Sequence, residues 1–401
     1  MNKLTYIQGA VVLAVSNLFV GILAFGFRIF FSRNTSAEGM GVYQLVLPLY
    51  MLLITLVSGG VITAISKLVA ESKAKNNIKA VQKTIKVSLV MISLWSLLLC
   101  SVIMLNAEWI ATQLLKDERT ILPIMVCVPS VFFISIAAIF KGYFYGLQDI
   151  KLPALIDVLE KIIRLVVLII ITKLTLPYGI EFVCAGAMLS MTLGELVSLF
   201  LLNFAYNRKR LCHYEDKRTD SSLSIISKII RLAVPLSFAG ALATIMDMIS
   251  AVLVPSQLRM AGYNASEALA VFGKLTGMVT PLIIFPGIVI YALTITLVPA
   301  ITKSHVKKNY GALNKKCNDS LTIAWSIGLL ATVLCTSFPH ELCEVFFKSA
   351  EAGDLLFWMG LGCTFQYLHF IQFAILNGLG LQRKVLTSIL IEIVITVACI
   401  Y

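Results

Sequence analysis

The chain has 401 residues, of which 59% are hydrophobic and only 13% charged, and its formal net charge is +12. A soluble domain carries about a quarter charged residues, so this chain has too few to coat a soluble surface. That excludes a soluble enzyme and any disordered or fibrous class. The excess of basic residues would suit nucleic acid, and only the positions of those residues decide against it.

Apolar runs of membrane-spanning length recur along the chain. A span needs about 20 mostly apolar residues. Eleven such runs are predicted: 7–31, 42–64, 85–105, 121–145, 155–171, 180–205, 229–254, 269–301, 321–338, 355–376 and 385–401. Membrane β-strands would be about 10 residues long with period two, so the expected class is all-α, a polytopic helical membrane protein. The first run is too long for a signal-peptide core and has no small-residue cleavage site, so it reads as helix one.

The loops between runs set the orientation. With the N-terminus inside, the inner segments hold 23 of the 33 Lys and Arg residues and the outer loops hold 6. The positive-inside rule then predicts a multi-pass plasma-membrane protein with a cytoplasmic N-terminus. The basic loops act as topology determinants and as contacts for anionic membrane lipids, with no need for a nucleic-acid partner. The nine cysteines form no Cys-x-x-Cys pair and the four histidines are isolated. No metal site or disulfide framework is predicted.

Two stretches repeat. Gly41-Val42-Tyr43-Gln44 followed by Ala64-Ile65-Ser66-Lys67 resembles Ala270-Val271-Phe272-Gly273 followed by Ala300-Ile301-Thr302-Lys303. Gly146-Leu147-Gln148, followed by Leu155-Ile156-Asp157, resembles Gly380-Leu381-Gln382, followed by Leu390-Ile391-Glu392. The offsets are 236 and 234 residues. Six helices separate the copies, so both halves share one orientation, a parallel repeat. The expected organisation is a first six-helix bundle over 1–208, a cytoplasmic linker over 209–226 and a second bundle over 227–401. The offset places the end of the second half about 40 residues past Tyr401. The second bundle is therefore expected to be incomplete, either as a truncated product or with its last helix supplied by a partner.

Specific residues also carry a family resemblance. The stretches 38–44 (EGMGVYQ), 64–71 (AISKLVAE), 142–148 (GYFYGLQ) and 297–301 (LVPAI) resemble the stage V sporulation protein B family. That family lies in the polysaccharide-transporter branch of the multidrug/oligosaccharidyl-lipid/polysaccharide (MOP) flippase superfamily, whose relatives include the lipid II flippases. The resemblance covers essentially the whole chain. It departs at Val61-Ile62, where the family usually has a proline, and in the helix count, which is higher in the family. It implies a flippase for a lipid-linked glycan precursor, serving cell wall or spore cortex by alternating access between two bundles. It also favours a basic residue late in helix one, a place filled here by Arg28.

Charges at membrane depth are candidates for function by default. Arg28 lies in the outer part of helix one, Asp247 in the outer half of helix seven and Lys274 near the outer start of helix eight. Arg28 and Lys274 could bind a pyrophosphate, and Asp247 could hold the Arg until substrate arrives. The plainer alternative is that Arg28 and Lys274 snorkel to the outer headgroups. In helix five, Glu160 and Arg164 sit at i,i+4 and can pair, as an internal ion pair or as a cytoplasm-side station for the same headgroup. Glu195 and Glu392 are lone acids in their runs; either could bind a cation or proton, and each is more often a packed, hydrogen-bonded or protonated carboxyl. Helix eight contains Gly277, Pro281 and Pro286, which suit either a bent, closely packed helix or a hinge for alternating access.

No ATP-binding loop, nucleophile elbow or zinc-protease motif is present in the sequence. The reading is a transporter without cofactors, not an enzyme. Its partner is a lipid-linked anionic glycan. The alternatives are a cation-coupled multidrug exporter of the same superfamily and a truncated non-transporting membrane protein.

Overall fold

A computed structural model describes residues 3–209 and 220–400. The predicted linker 209–226 falls largely on 210–219, which lie outside the described residues. Every regular element among the described residues is helical. The physical reason is that a backbone in lipid must satisfy its own N–H and C=O groups, and a helix does so within one segment.

In chain order the helices are α1 (Lys3–Asn34), α2 (Ala37–Ser58), α3 (Val61–Ala74), α4 (Ile78–Leu105) and the short α5 (Ala107–Trp109), which runs into a π-helical turn. Next come α6 (Ile121–Gly146), α7 (Lys151–Thr175), α8 (Ile180–Lys209) and α9 (Ser222–Met260). Then α10 (Ala265–Gly273) passes through a π-helical turn, Lys274–Val279, into α11 (Thr280–Val306). The chain continues with α12 (Tyr310–Ser337), α13 (Pro339–Phe347), α14 (Gly353–Gly360), α15 (Cys363–Gly378) and α16 (Gln382–Ile400).

Eight helical segments among the described residues are long and apolar enough to cross a membrane, or nine if the bent pair α14–α15 counts as one broken span. Two of the eleven expected runs fall outside that number, and both carry charges. Helix α7 holds Asp157, Glu160, Lys161 and Arg164, and α16 holds Arg383, Lys384 and Glu392.

The described chain packs as two compact units, residues 1–41 with 253–401 and residues 42–252. In the unit 42–252, α6 is central and packs on α3, α4 and α8. Gly142 and Gly146 face α3 so closely that an added Cβ would meet Ile65 at 2.9 Å and the Ser66 carbonyl at 2.7 Å. This is small-residue packing at i,i+4, and it gives the aromatic GYFYG stretch its glycines. The α2–α3 chain breaks at Gly59-Gly60. Here α9 approaches backbone to backbone, and Ser237 Oγ accepts from the Gly60 N–H at 3.1 Å.

In the other unit, α15 packs between α11 and α12. Tyr367 is fully buried, and its hydroxyl donates to the Ile283 carbonyl at 2.6 Å. Its ring lies against Gly287. Phe25 of α1 stacks on Phe285 of α11, centroids 4.3 Å apart.

Candidate functional sites

The first site lies in the unit containing α1 and α10–α16 and is built around the π-helical turn. In an α-helix the N–H of residue 280 would bond the carbonyl of 276. Here the Thr280 N–H goes to Leu275 instead, the i→i−5 bond of a π turn. The next residue is Pro281, which has no N–H. The Thr276 carbonyl therefore has no helical donor, and the Arg28 guanidinium supplies one at 3.3 Å. Arg28 is half-buried. Buried carbonyls need partners, so a break in one helix fixes the direction of a side chain from another.

Lys274, at the start of the same turn, pairs with Glu351 at 2.5 Å. The Lys274 side chain is 18% exposed and Glu351 82%. A cavity of about 600 Å³ beside them is lined by Ser36, Glu38, Lys274, Lys348 and Glu351. Arg33, one turn beyond Arg28, donates to the Phe346 carbonyl at 2.8 Å and to the Val345 carbonyl. It caps the C-terminus of α13, where a cation suits the helix dipole. Gly277 packs on Met40, and Gly273 on the backbone of Ala37 and Gly41. Pro281 is near the start of α11, and Pro286 follows within it.

The second site lies in the unit 42–252 and is a buried ion cluster on α7 and α8. Glu160 is 3% exposed. It forms ion pairs with Arg164 at 2.9 Å, the i,i+4 pair anticipated from spacing, and with Lys161 at 2.5 Å. Arg164 also reaches Glu195 on α8 at 3.2 Å. Glu195, isolated in its own helix, is the hydrogen-bonded carboxyl that the sequence favoured over a cation or proton site. Its partner is 31 residues away, on the neighbouring helix. Gly194 makes the approach possible, since a Cβ there would come within 2.8 Å of the Glu160 carboxylate. Lys141 on α6 pairs with Asp157 at 2.6 Å. The Tyr50 hydroxyl and Arg164 Nε are buried without a protein hydrogen-bond partner. Three acids and three bases balance, so the cluster adds no net charge at membrane depth.

Asp247 is exposed on α9 in the same unit, and Glu392 is exposed on α16 in the other. By sequence Lys274 reads as a phosphate ligand or a snorkelling base; its partner Glu351 lies 77 residues away, beyond what helical spacing links. The π turn was missed as well. Its only sequence signal is a proline just beyond a Gly-x-x-x-Gly pair.

This fold, a polytopic helical protein with broken helices and charged groups inside the membrane, is that of the MOP-superfamily transporters. An inward-facing multidrug resistance MATE family transporter superposes with a TM-score of 0.71 at 18% identity, over 96% of this chain and 87% of that one. A MOP superfamily transporter from Pyrococcus furiosus, described by the reversed polarity of its binding pocket, gives 0.63 at 18% identity, covering 96% and 85%. The family model described as polysaccharide biosynthesis protein matches residues 6–305, and the chain belongs to that family. It is 27% identical to stage V sporulation protein B of Bacillus subtilis (strain 168) over 100% of this chain and 78% of that protein. It is 24% identical to the lipid II flippase MurJ of the same organism, over 97% and 75%.

Proposed function

We propose that this protein flips a lipid-linked anionic glycan precursor across the plasma membrane for cell-wall or spore-cortex synthesis, by alternating access between halves 1–208 and 227–401. The membership in the polysaccharide biosynthesis family supports the substrate class. One observation carries the role of the site. Among its contacts, Arg28 donates to a neutral carbonyl at 3.3 Å, which is long for an N–H···O bond. A phosphate oxygen would give the same guanidinium a shorter, charge-assisted and bidentate bond. Substrate phosphate would take the place of the long bond to the Thr276 carbonyl. Lys274 would add a second positive group once it leaves the exposed Glu351. Asp247 would serve as the counter-carboxylate in the empty state, and Glu160 and Arg164 as a second station nearer the cytoplasm. Gly277, Pro281 and Pro286 would form the hinge, because helical bonding is already broken there. The energy would come from ion gradients or substrate supply.

Complementation of a flippase-deficient strain at matched membrane levels tests the reading. Arg28→Ala should abolish rescue and Arg28→Lys should rescue poorly, since Lys keeps charge but loses the fork. Normal rescue by Arg28→Ala would overturn it.

The carbonyl contact makes a separate prediction. Pro281→Ala restores an N–H within reach of Thr276, so the orphan carbonyl no longer needs Arg28. Arg28→Ala should destabilise the protein by roughly 1–3 kcal/mol, the cost of an unsatisfied buried acceptor. The same change made in Pro281→Ala should cost clearly less. Equal losses in the two backgrounds, measured by thermal unfolding in detergent, would count against the capping role.

A further inference from the structure

The unit 42–252 carries a groove and a pocket that share the same three helices. The groove, about 430 Å³, lies between α2–α3, α4 and α9. It is lined by Val61, Trp95, Ile230, Ala233, Val234 and Phe238, among other apolar side chains. Its one hydroxyl, Ser237, is taken by the Gly60 N–H. The pocket is lined by Glu71, Ser72, Lys75, Thr84, Asp220 and Lys228. On each helix the pocket residues lie to the same side of the groove residues. On α3, Val61 lines the groove and Leu68 to Lys75 the pocket. On α4 the groove has Met91, Ile92 and Trp95, and the pocket Ala80 and Thr84. On α9 the groove runs from Ile229 to Phe238, and the pocket takes Ile225 and Lys228. At 1.5 Å per residue, Val61 to Lys75 spans about 20 Å and Thr84 to Trp95 about 16 Å. One leaflet of the hydrocarbon core is about 15 Å deep. The pair thus has the dimensions of one lipid, with an apolar tail slot in the leaflet and a polar cup at its headgroup level.

The cup has the chemistry of a phosphate site. Lys228 reaches the Asp220 carboxylate at 2.5 Å and Lys83 the Asp220 carbonyl at 2.6 Å. The Lys228 contact holds the Asp220 carboxyl below its usual range, with Lys75 and Lys83 adding to the effect. Three lysines against Asp220 and Glu71 leave an excess positive charge. The loop charge bias assigns this end to the cytoplasm, where anionic lipids carry the negative surface potential.

We infer that the α3–α4–α9 face binds an anionic phospholipid of the inner leaflet, its acyl chain in the groove between Val61, Trp95 and Val234 and its phosphate among Lys75, Lys83 and Lys228. This site is separate from Arg28 and does not depend on the transport substrate.

The test is native mass spectrometry of the full chain released from vesicles of equal phosphatidylglycerol and phosphatidylethanolamine. The wild type should retain phosphatidylglycerol in preference. Lys75→Gln with Lys228→Gln should lower the retained anionic lipid several-fold, and so should Val234→Trp, which fills the groove without touching the lysines. Lys315→Gln with Lys307→Gln, on another basic loop, is the control and should retain it. If Val234→Trp does not purify as a single species, Ile230→Trp replaces it. Three results would overturn the site: no lipid preference in the wild type, equal loss in the control, or loss from the lysine variants with the groove-filling variants unchanged. The last would mean headgroup attraction without a bound tail.

Discussion

Replacing Arg164 by leucine should destabilise the protein by about 3–5 kcal/mol, the usual cost of removing one partner from a buried ion pair. The guanidinium serves two carboxylates at once, Glu160 at 2.9 Å and Glu195 at 3.2 Å. Without it, Lys161 still faces Glu160, but Glu195 loses the base that reaches it from α7. Three acids then share the cluster with two bases, Lys141 and Lys161. Glu195→Gln should cost much less, because Arg164 keeps Glu160. Neutralising Glu195 as well (Arg164→Leu with Glu195→Gln) should recover most of the loss, because Lys161 still pairs with Glu160 and the charges balance again. Thermal unfolding in detergent reads each step. A loss below about 1 kcal/mol for Arg164→Leu, the value of an exposed pair, would show the cluster to be solvated. The same series separates structure from transport. If the double variant is stable yet fails complementation, the cluster serves the proposed second station. If it is stable and active, the ions only hold α7 to α8.

The second large effect is expected at Gly273. An added Cβ there meets the Ala37 carbonyl and lies 2.5 Å from the Gly41 backbone nitrogen. At Gly41 it would meet the Leu269 carbonyl. These neighbours are main-chain atoms on helices, so no side chain can swing aside. Overpacking of this kind costs typically about 1–3 kcal/mol per site, and a backbone wall puts Gly273→Ala at the upper end. Gly273→Leu should prevent accumulation of folded protein. Gly26, on α1, has nothing within 4 Å of a built Cβ. Gly26→Ala should therefore be neutral or gain up to about 1 kcal/mol of helix propensity. Equal behaviour of Gly273→Ala and Gly26→Ala in a gel-filtration and unfolding comparison would refute the close crossing. The result also bears on the hinge. The π turn starts at the residue after Gly273, so a displaced α10 would shift Lys274 and the Thr276 carbonyl together.

The site was partly legible before the structure. Glu160 and Arg164 could be paired from their spacing because a helix places i and i+4 on one face. Arg28 and Lys274 stood out because charges are rare in apolar runs. Their partners were not legible. Glu195 lies 31 residues from Arg164, Glu351 lies 77 from Lys274, and Thr276 lies 248 from Arg28. A side chain's reach is local, but its neighbour depends on which helices adjoin.

The class of protein is written in the sequence itself. Lipid cannot hydrogen-bond the backbone, so apolar runs of span length must be helices, and the loop lysines bias their direction. Both are properties of contiguous residues and survive any arrangement of the helices. The tertiary structure decided the rest. It set where glycines let backbones touch, which acid takes which base, and how Pro281 and a π turn leave one carbonyl that an arginine must cap. Those outcomes turn on ångström-scale contacts between segments far apart in the chain, and an apolar pattern that only asks a helix to be buried or lipid-facing does not encode them.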